Sequence, residues 1–482
     1  MNEASLDPEN WDEFRRAAHE LLDSCIDHLT GVRERPVWRP VPDTVRQGIA
    51  TATPWEGTPL PQLCDEFRDL ILPYPTGNTH PRFFGWVHGT GTATGMLAEL
   101  GAAAMNSNCG GRDHGAVYVE RQVIEWCREV FGFPPGSSGV LTAGTSSATV
   151  IALASARVWR CGAEARRGGA GKSKLVAYAS AEAHSALIKG MELLGLGSDA
   201  LRLIPTDPNF AMDRRELEAA VMRDRAAGLE PFCVIATAGT VNTGAFDAID
   251  AIADFCAEQD LWLHVDGAFG AWACLADSPW RELPRGLARA QSLAFDFHKW
   301  MYVQYDCGCV LIRDERVHRA AFATRPDYLA AHGVALAGGD PWFCDYGIDL
   351  SRGFKALKVW FALREFGLRR LGAKITDNCR QAQHMAALVA ESRALEPLAA
   401  TVSNICCFRY APAGLPDGQL DAVNAAIVAQ LQEAGTVAFS TTRIRGRLAI
   451  RAAIVNHRTT FADIGLAIEE VLRAGAALAP AE

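Results

Sequence analysis

The sequence predicts an α/β fold built on a large, mostly parallel sheet, with a smaller α+β unit near the C-terminal end. Between about residues 80 and 345, short apolar runs alternate with stretches of helical period. Runs that are apolar along their whole length indicate parallel strands, because helices cover both faces of such a sheet. After residue 350 the two periods are mixed, which is typical of an α+β unit.

An amphipathic helix is expected over residues 8–30, where apolar side chains recur at three- and four-residue steps. Pro8 lies near its start and Gly31 just past its end, which matches the usual capping asymmetry of helices. A proline-rich connector follows. A single helix with one apolar face must pack on the body of the chain or on a partner subunit.

The predicted strands and helices then alternate along the chain. We expect strands at 175–179, 232–236, 261–265, 292–297 and 309–312, and helices at 148–160, 248–258 and 353–366. This organisation predicts three parts: an N-terminal helix and arm over 1–80, a large domain over 81–350 and a small domain over 351–482.

Composition excludes several classes of function. A net charge of −9 argues against a dominant nucleic-acid partner, because phosphate binding needs a basic face. The 14 cysteines show neither a disulfide framework nor the spacing of a zinc site, and this pattern is typical of proteins in a reducing compartment. No signal peptide and no apolar run of about 18 residues is found. We therefore expect a cytoplasmic protein without a membrane or nucleic-acid partner.

Lys299 is unusual because only 7 of the 47 basic residues are lysines, and this one lies between two apolar runs. A neutral amine is a nucleophile that arginine cannot supply, and lysines that form imines are found in such surroundings. The alternative is a lysine at a strand end whose ammonium simply reaches solvent.

Other polar groups follow predicted strands, and open parallel sheets bind ligands outside the carboxyl ends of their strands. The segment 143–147 opens a helix whose free N–H groups suit a phosphate, although a Ser/Thr helix cap has the same composition. His184 follows one strand, and a structural histidine is the alternative there. Asp266 closes another strand, where a buried carboxylate needs a partner; an Asp-Gly turn is its alternative.

Together these groups meet the requirements of pyridoxal phosphate. The helix start can hold the phosphate, the imidazole can stack on the ring, the carboxylate can keep the pyridine nitrogen protonated, and the amine can form an imine. No single one of these signals is specific.

The chain resembles the group II pyridoxal-phosphate-dependent decarboxylases, relatives of aromatic-L-amino-acid and glutamate decarboxylases, and in particular their bacterial branch. The matching motifs occur in one order over most of the chain, at 80–85, 142–149, 183–185, 236–240, 264–268, 298–300, 351–360 and 453–459. The resemblance implies fold type I (aspartate-aminotransferase-like), decarboxylation of an L-amino acid, and a homodimer with its active site at the subunit interface.

Carried over by position, the resemblance implies that Lys299 forms the imine, that Asp266 pairs with the pyridine nitrogen, and that His184 stacks on the ring. Asp296 stands where relatives often have Asn or Asp. The full set of implied cofactor contacts is Gly144, Thr145, Ser146, His184, Thr240, Asp266, Ala268, Asp296, His298 and Lys299. No metal ligand is implied.

The substrate remains open at this stage. The aromatic side chains expected around it favour a flat or apolar substrate, whereas Arg82 leaves an acidic one open. These side chains are Phe83, Phe84, Trp86, His88, Trp342 and Phe343.

Tyr328, in the glycine-containing lid 324–346, corresponds to the family's proton donor to the substrate carbon, and so favours the amine product. If Tyr328 does not reach that carbon, reaction with oxygen gives an aldehyde instead. A non-catalytic relative is the third hypothesis, and the presence of all the cofactor residues argues against it.

Overall fold

A seven-stranded sheet forms the centre of the computed structural model, which describes residues 5–169, 174–324 and 334–478. Its strands are β1 Ser138–Thr142, β2 Leu175–Ser180, β3 Leu201–Ile204, β4 Glu230–Thr237, β5 Trp262–Asp266, β6 Ser292–Asp296 and β7 Gly308–Ile312. Their order is β1-β7-β6-β5-β4-β2-β3. Only β7 runs antiparallel to its neighbours, so the predicted mostly parallel sheet is confirmed.

All the residues of β1, β2, β5, β6 and β7 are buried, as expected for strands covered on both faces. The five expected strands lie within two residues of their predicted limits at either end. Because β1, β2, β4, β5 and β6 all run in one direction, their carboxyl ends meet at a single edge. The predicted polar groups therefore meet at that edge.

Helices connect the strands of this sheet, and further helices lie in the N-terminal and C-terminal parts of the chain. They are α1 Trp11–Thr30, α2 Asp43–Ile49, α3 Leu60–Glu66, α4 Ala93–Met105, α5 Gly115–Val130, α6 Thr145–Cys161, α7 Ala165–Gly168, α8 Ala186–Leu193, α9 Arg214–Ala226, α10 Ile249–Gln259, α11 Glu315–Phe322, α12 Ala356–Glu391, α13 Asp417–Glu433 and α14 Phe461–Leu478. Helix α6 follows β1 directly and begins at the edge where the strands end.

Helix α1 begins at Trp11 and not at residue 8, because the side chain of Asn10 caps it. Asn10 Oδ1 accepts hydrogen bonds from the N–H groups of Asp12 and Glu13. Ala17 is the only buried residue of this helix, so its apolar face lies largely uncovered on the isolated chain.

Helix α12 is longer than predicted. We expected an end at residue 366, since Gly367 follows, but the chain turns at Gly367 (φ 67°) and continues in helical conformation to Glu391. Glycine adopts this left-handed conformation without a Cβ clash, so the residue bends the helix here instead of ending it.

A second, four-stranded sheet lies in the C-terminal part of the chain. Its strands β8 Leu395–Pro397, β9 Ile405–Tyr410, β10 Ser440–Ile444 and β11 Arg447–Ala453 are antiparallel, in the order β10-β11-β9-β8. Helices α13 and α14 pack on this sheet around a separate hydrophobic core. The exact domain limits stay a prediction. Among the residues described, no helix combines the length and the apolar character that a membrane crossing requires.

Candidate active site

A cavity of about 560 Å³ opens where the strands of the large sheet end. Loops that follow β1, β2, β4, β5 and β6 line it, together with the segment 86–88. The structure brings most of the predicted site residues to this cavity: Trp86, His88, Gly144, Thr145, Ser146, His184, Asp266, Ala268, Asp296, His298 and Lys299.

Lys299 follows β6 and directs its amine at a carboxylate. Its Nζ lies 3.0 Å from Oδ2 of Asp296, which is buried at the end of β6. The neighbours Phe297 and Trp300 are fully buried, as the apolar sequence context indicated. The amine itself is nevertheless partnered by an opposite charge and lies at the cavity wall.

Asp296 also reaches helix α6. Its Oδ1 accepts a hydrogen bond of 2.7 Å from the N–H of Thr145, the first residue of the helix. A carboxylate at this position interacts favourably with the positive end of the helix dipole. The contact crosses strand β7 above Gly308, where a Cβ would come within 2.6 Å of the same carboxylate oxygen.

His298 is held in one orientation by the chain that returns from the site. Its Nδ1 accepts a hydrogen bond of 3.0 Å from the N–H of Cys307, so the proton of the neutral ring lies on Nε2. Nε2 is 3.6 Å from Oδ2 of Asp296. Burial lowers the pKa of His298, and the nearby Asp296 carboxylate opposes this effect.

Asp266 ends β5 and is buried in the floor of the cavity. Its Oδ1 accepts a hydrogen bond of 3.1 Å from the N–H of Ala268, and no other hydrogen bond to its carboxylate occurs within the described ranges. Burial raises the pKa of Asp266, while the ammonium of Lys299 counteracts the rise. A buried carboxylate with so few donors is suited to a protonated or cationic ligand atom.

His184 lies on the loop after β2, on the exposed side of the cavity. Its Nδ1 accepts a hydrogen bond of 3.1 Å from the N–H of Ala186, which begins helix α8. The start of the helix therefore fixes one edge of the imidazole, and the ring remains free to contact a ligand.

Phe84 does not line the cavity, and the prediction for this residue is corrected. Its N–H donates to the carbonyl of Ala438 and its carbonyl accepts from the N–H of Ala453, so this segment pairs with the C-terminal part of the chain. The ring is fully buried against Phe439, with centroids 5.7 Å apart.

Thr240 is also absent from the cavity wall, where Thr237, Gly239 and Val241 lie instead. Its hydroxyl accepts from the N–H of Ala245 and lies 3.0 Å from the hydroxyl of Thr243. The side chain thus closes a tight turn and is buried within it.

Four other side chains expected near the substrate lie elsewhere. Phe83 is buried against Val37 and Ala438 and does not line the cavity. Arg82 donates from Nε to the carbonyl of Thr436, 2.9 Å away. Trp342 and Phe343 are buried in the protein interior and do not line the cavity. The predicted proton donor Tyr328 lies outside the described residues.

Tyr305 is a cavity residue that the sequence interpretation missed. Its ring lies 4.4 Å from that of His298 and 6.1 Å from that of His88, between centroids. Burial raises the pKa of Tyr305 to about 12, so the phenol is protonated at neutral pH. The only signal in the sequence was an aromatic residue in the loop between Lys299 and β7.

The groups at the start of α6 fit the phosphate of pyridoxal phosphate. The hydroxyl oxygen of Thr145 is buried at the cavity and has no hydrogen-bond partner among the described residues, and buried hydroxyls rarely remain so. The N-terminus of the 17-residue helix supplies N–H groups and a favourable dipole beside it. The deeper carboxylate and the lysine amine complete the set that this cofactor requires.

Comparisons with known proteins also indicate a protein that binds pyridoxal phosphate. The pyridoxal-dependent decarboxylase conserved domain matches residues 42–411. The chain is 30% identical over 453 residues to the aromatic-L-amino-acid decarboxylase of Bacillus atrophaeus, covering 93% of this chain and 92% of that protein.

Two solved plant structures share the fold. The Oryza sativa TDC with PLP and tryptamine has a TM-score of 0.89 and 26% identity, over 98% of this chain and 100% of that one. The Rhodiola rosea 4-hydroxyphenylacetaldehyde synthase has a TM-score of 0.86 and 24% identity, over 98% and 99%. The domain match and the full-length relatives show that this chain belongs to the pyridoxal-dependent decarboxylase family, as a pyridoxal-phosphate-dependent amino-acid decarboxylase.

Proposed function

We propose that the chain converts an aromatic L-amino acid into the amine and CO2. The observation that carries the proposal is a cluster of rings beside Lys299. Trp86 and His88 stack with centroids 5.5 Å apart, and Tyr305 closes the cluster on the far side of His88. Flat side chains favour aromatic ligands through offset and edge-to-face contacts.

An acidic substrate fits the cavity less well. Binding a second carboxylate in a partly buried site calls for a cation, most often arginine. Of the described residues that line the cavity, Lys299 is the only lysine or arginine, and it is needed for the cofactor. Arg82, which left an acidic substrate open, is bound to the carbonyl of Thr436.

The residues of this chain have distinct roles in the proposal. Bound pyridoxal phosphate supplies an electron sink at the substrate α-carbon. Asp266 would hold a proton on the pyridine nitrogen of the bound cofactor, and the Lys299 amine would hold its aldehyde carbon. His184 and Ala268 would pack against the ring. Gly144, Thr145, Ser146 and His298 would hold the phosphate.

A panel of substrates tests this function. CO2 release is measured for the standard amino acids and for hydroxylated and acidic analogues, at equal concentrations of loaded enzyme. We expect the highest kcat/KM for an aromatic L-amino acid. A preference for glutamate, aspartate or another acidic substrate would overturn the aromatic proposal without affecting the family assignment.

The product depends on a proton donor, and we assign that role to Tyr328 because of its position in the predicted lid. We expect Tyr328→Phe to lower amine formation and to shift the product towards the aldehyde, with ammonia and peroxide released in step. Wild-type enzyme that itself releases ammonia and peroxide in proportion to CO2 would contradict the assignment and favour an aldehyde synthase. The likeness to the Rhodiola rosea synthase is one of fold, so it does not favour either product.

A homodimer is proposed for the assembly. Trp11 and Phe14 are exposed on α1, and Leu97 and Leu100 are exposed on α4, although all four are apolar. Large uncovered apolar surfaces of this kind mark interfaces. Sedimentation analysis should give twice the chain mass, and the double variant Trp11→Ser with Phe14→Ser should shift the mass towards that of the monomer. A monomeric wild type with full activity would contradict this proposal.

A cytoplasmic location is proposed as well. All 14 cysteines are free thiols in the structure, which suits a reducing compartment. Cell fractionation with immunodetection tests the location, and recovery of the protein outside the cytoplasm would contradict it.

A further inference from the structure

A carboxylate of the protein, that of Asp296, is bound at the N-terminus of helix α6. Of its N–H groups, that of Thr145 donates to Oδ1 of Asp296 at 2.7 Å. This helix end is also where the phosphate of the cofactor would bind, because free N–H groups and the dipole attract negative charge. The carboxylate therefore occupies part of the place that the phosphate requires.

The second oxygen of Asp296 holds the other reactive end of the site. Oδ2 lies 3.0 Å from Nζ of Lys299, the amine that tethers the cofactor. One carboxylate thus connects the phosphate cradle to the imine-forming lysine. Only 1% of Asp296 is exposed, so water does little to screen its charge from a neighbouring anion.

The groups that face Asp296 do not carry enough positive charge to neutralise both its carboxylate and a phosphate at the start of α6. His298 is 3.6 Å away, but burial lowers its pKa and disfavours its charged form. Asp266 is a second carboxylate close enough to interact with Asp296, and Tyr305 stays protonated at neutral pH. Among the described residues, Lys299 is the one cation in contact with Asp296.

We propose that Asp296 is an internal anion that competes with the phosphate of the cofactor for the N-terminus of α6. When an external phosphate binds there, the carboxylate gives up its hydrogen bond with Thr145. This competition weakens cofactor binding relative to a neutral side chain of the same shape. Asp296 is thus a determinant of cofactor affinity.

Asparagine provides the matched test, since its amide oxygen has the shape of the carboxylate without the charge. The probe is sulfate, whose charge does not change between pH 6 and 8. We measure its binding to cofactor-free protein by calorimetry, together with the apparent melting temperature. Asp296→Asn should bind sulfate and pyridoxal phosphate about tenfold more tightly than wild type, because a like charge has been removed.

The melting temperature separates competition from a structural role. Asp296→Asn loses an ion pair and a charged cap on α6, so the cofactor-free protein should melt at a lower temperature while its sulfate affinity rises. If the residue only shaped the site, affinity and melting temperature would both fall, and that result would overturn the proposal. Equal affinities of the variant and the wild type would overturn it too.

Asp463 offers a control elsewhere in the chain. Its carboxylate also accepts a backbone N–H bond, from Thr460 at 2.8 Å, and also contacts a cation, Arg33 at 3.2 Å. It does not line the cavity. Asp463→Asn should lower the melting temperature and leave sulfate affinity unchanged; a tenfold gain in this variant as well would overturn the proposal.

A structure of the wild type in sulfate keeps the inference testable if the variant fails to fold. With an ion at α6, the distance from Asp296 Oδ1 to Thr145 N should exceed 3.5 Å; an intact hydrogen bond beside the ion would overturn the inference. If neither the wild type nor Asp296→Asn bound sulfate, the start of α6 would not be an anion site. That result would contradict the phosphate-binding role of α6, which is a separate claim from the competition with Asp296.

Discussion

The imidazole of His298 and the phenol ring of Tyr305 lie 4.4 Å apart between centroids, tilted by 33°. With its Nδ1 bound to the N–H of Cys307, the imidazole is held from two directions. A residue of the cofactor motif is thus oriented by an aromatic ring seven positions further along the chain.

Tyr305→Ala should weaken cofactor binding, because the imidazole loses its packing partner. A ring pair of this kind contributes about 1 kcal/mol, which corresponds to about a fivefold increase in the Kd of pyridoxal phosphate. Titration of cofactor-free protein, followed by absorbance, measures this. Tyr305→Phe keeps the ring and should retain the wild-type Kd; a loss as large as that of the alanine variant would show that the hydroxyl matters instead.

Asp266→Asn should retain the cofactor but lower kcat by about 100-fold or more, because the uncharged amide no longer favours a protonated pyridine nitrogen. The visible absorbance band checks that the cofactor is bound, and CO2 release gives kcat. Wild-type rates in this variant would remove Asp266 from the chemistry.

Trp86→Ala should raise the KM for an aromatic substrate by about tenfold, with little change in the Kd of the cofactor. Trp86 lines the cavity, whereas Trp55 is 89% exposed and does not. Trp55→Ala is therefore the matched control and should leave both constants unchanged. An unchanged KM in the Trp86 variant would argue against the ring cluster as the substrate wall.

Stability should fall in acid because buried His318 resists protonation. Burial lowers its pKa from 6.5 to about 3, and its ring nitrogens contact the Ser138 hydroxyl at 2.8 Å and the Tyr346 carbonyl at 2.7 Å. The unfolded chain takes up the proton near pH 6.5, whereas the folded chain does so only near pH 3. The stabilisation is therefore complete above pH 6.5 and declines by about 1.4 kcal/mol per pH unit as the pH falls.

Denaturant midpoints between pH 7 and 4 measure this decline. The variant His318→Gln can still donate to the Tyr346 carbonyl but cannot ionise, so its midpoint should fall less steeply with pH. His19, exposed on α1, is the control, and His19→Asn should keep the wild-type slope. Identical slopes in the wild type and His318→Gln would contradict the prediction.

The residues at the carboxyl edge of the sheet could be predicted from the sequence, because the end of a strand is visible in the local pattern of apolar residues. Asp266 and Lys299 each follow an apolar run, and the parallel direction of the strands brings such ends together wherever they lie in the chain. The start of α6 could be placed at this edge in the same way, because the helix follows the end of β1 directly.

Side-chain direction in irregular segments could not be predicted in this way. Phe84 points away from the cavity because its backbone pairs with residues 438 and 453, some 350 positions later in the chain. Thr240 is turned inward by a local bond to Ala245 that its sequence does not reveal. Motif matching identifies a segment, whereas pairing with distant backbone decides which of its residues contact a ligand.

Strand β7 separates β1 from β6, so their ends lie about two strand spacings, or roughly 10 Å, apart. At its first residue, Gly308, this intervening strand carries no side chain. A Cβ there would come within 2.6 Å of both the Asp296 carboxylate and the Cα of Gly144. Because Gly308 has no side chain, the Asp296 carboxylate can contact both the start of α6 and Lys299. Any larger residue at position 308 would push the start of α6 away from Asp296 and Lys299.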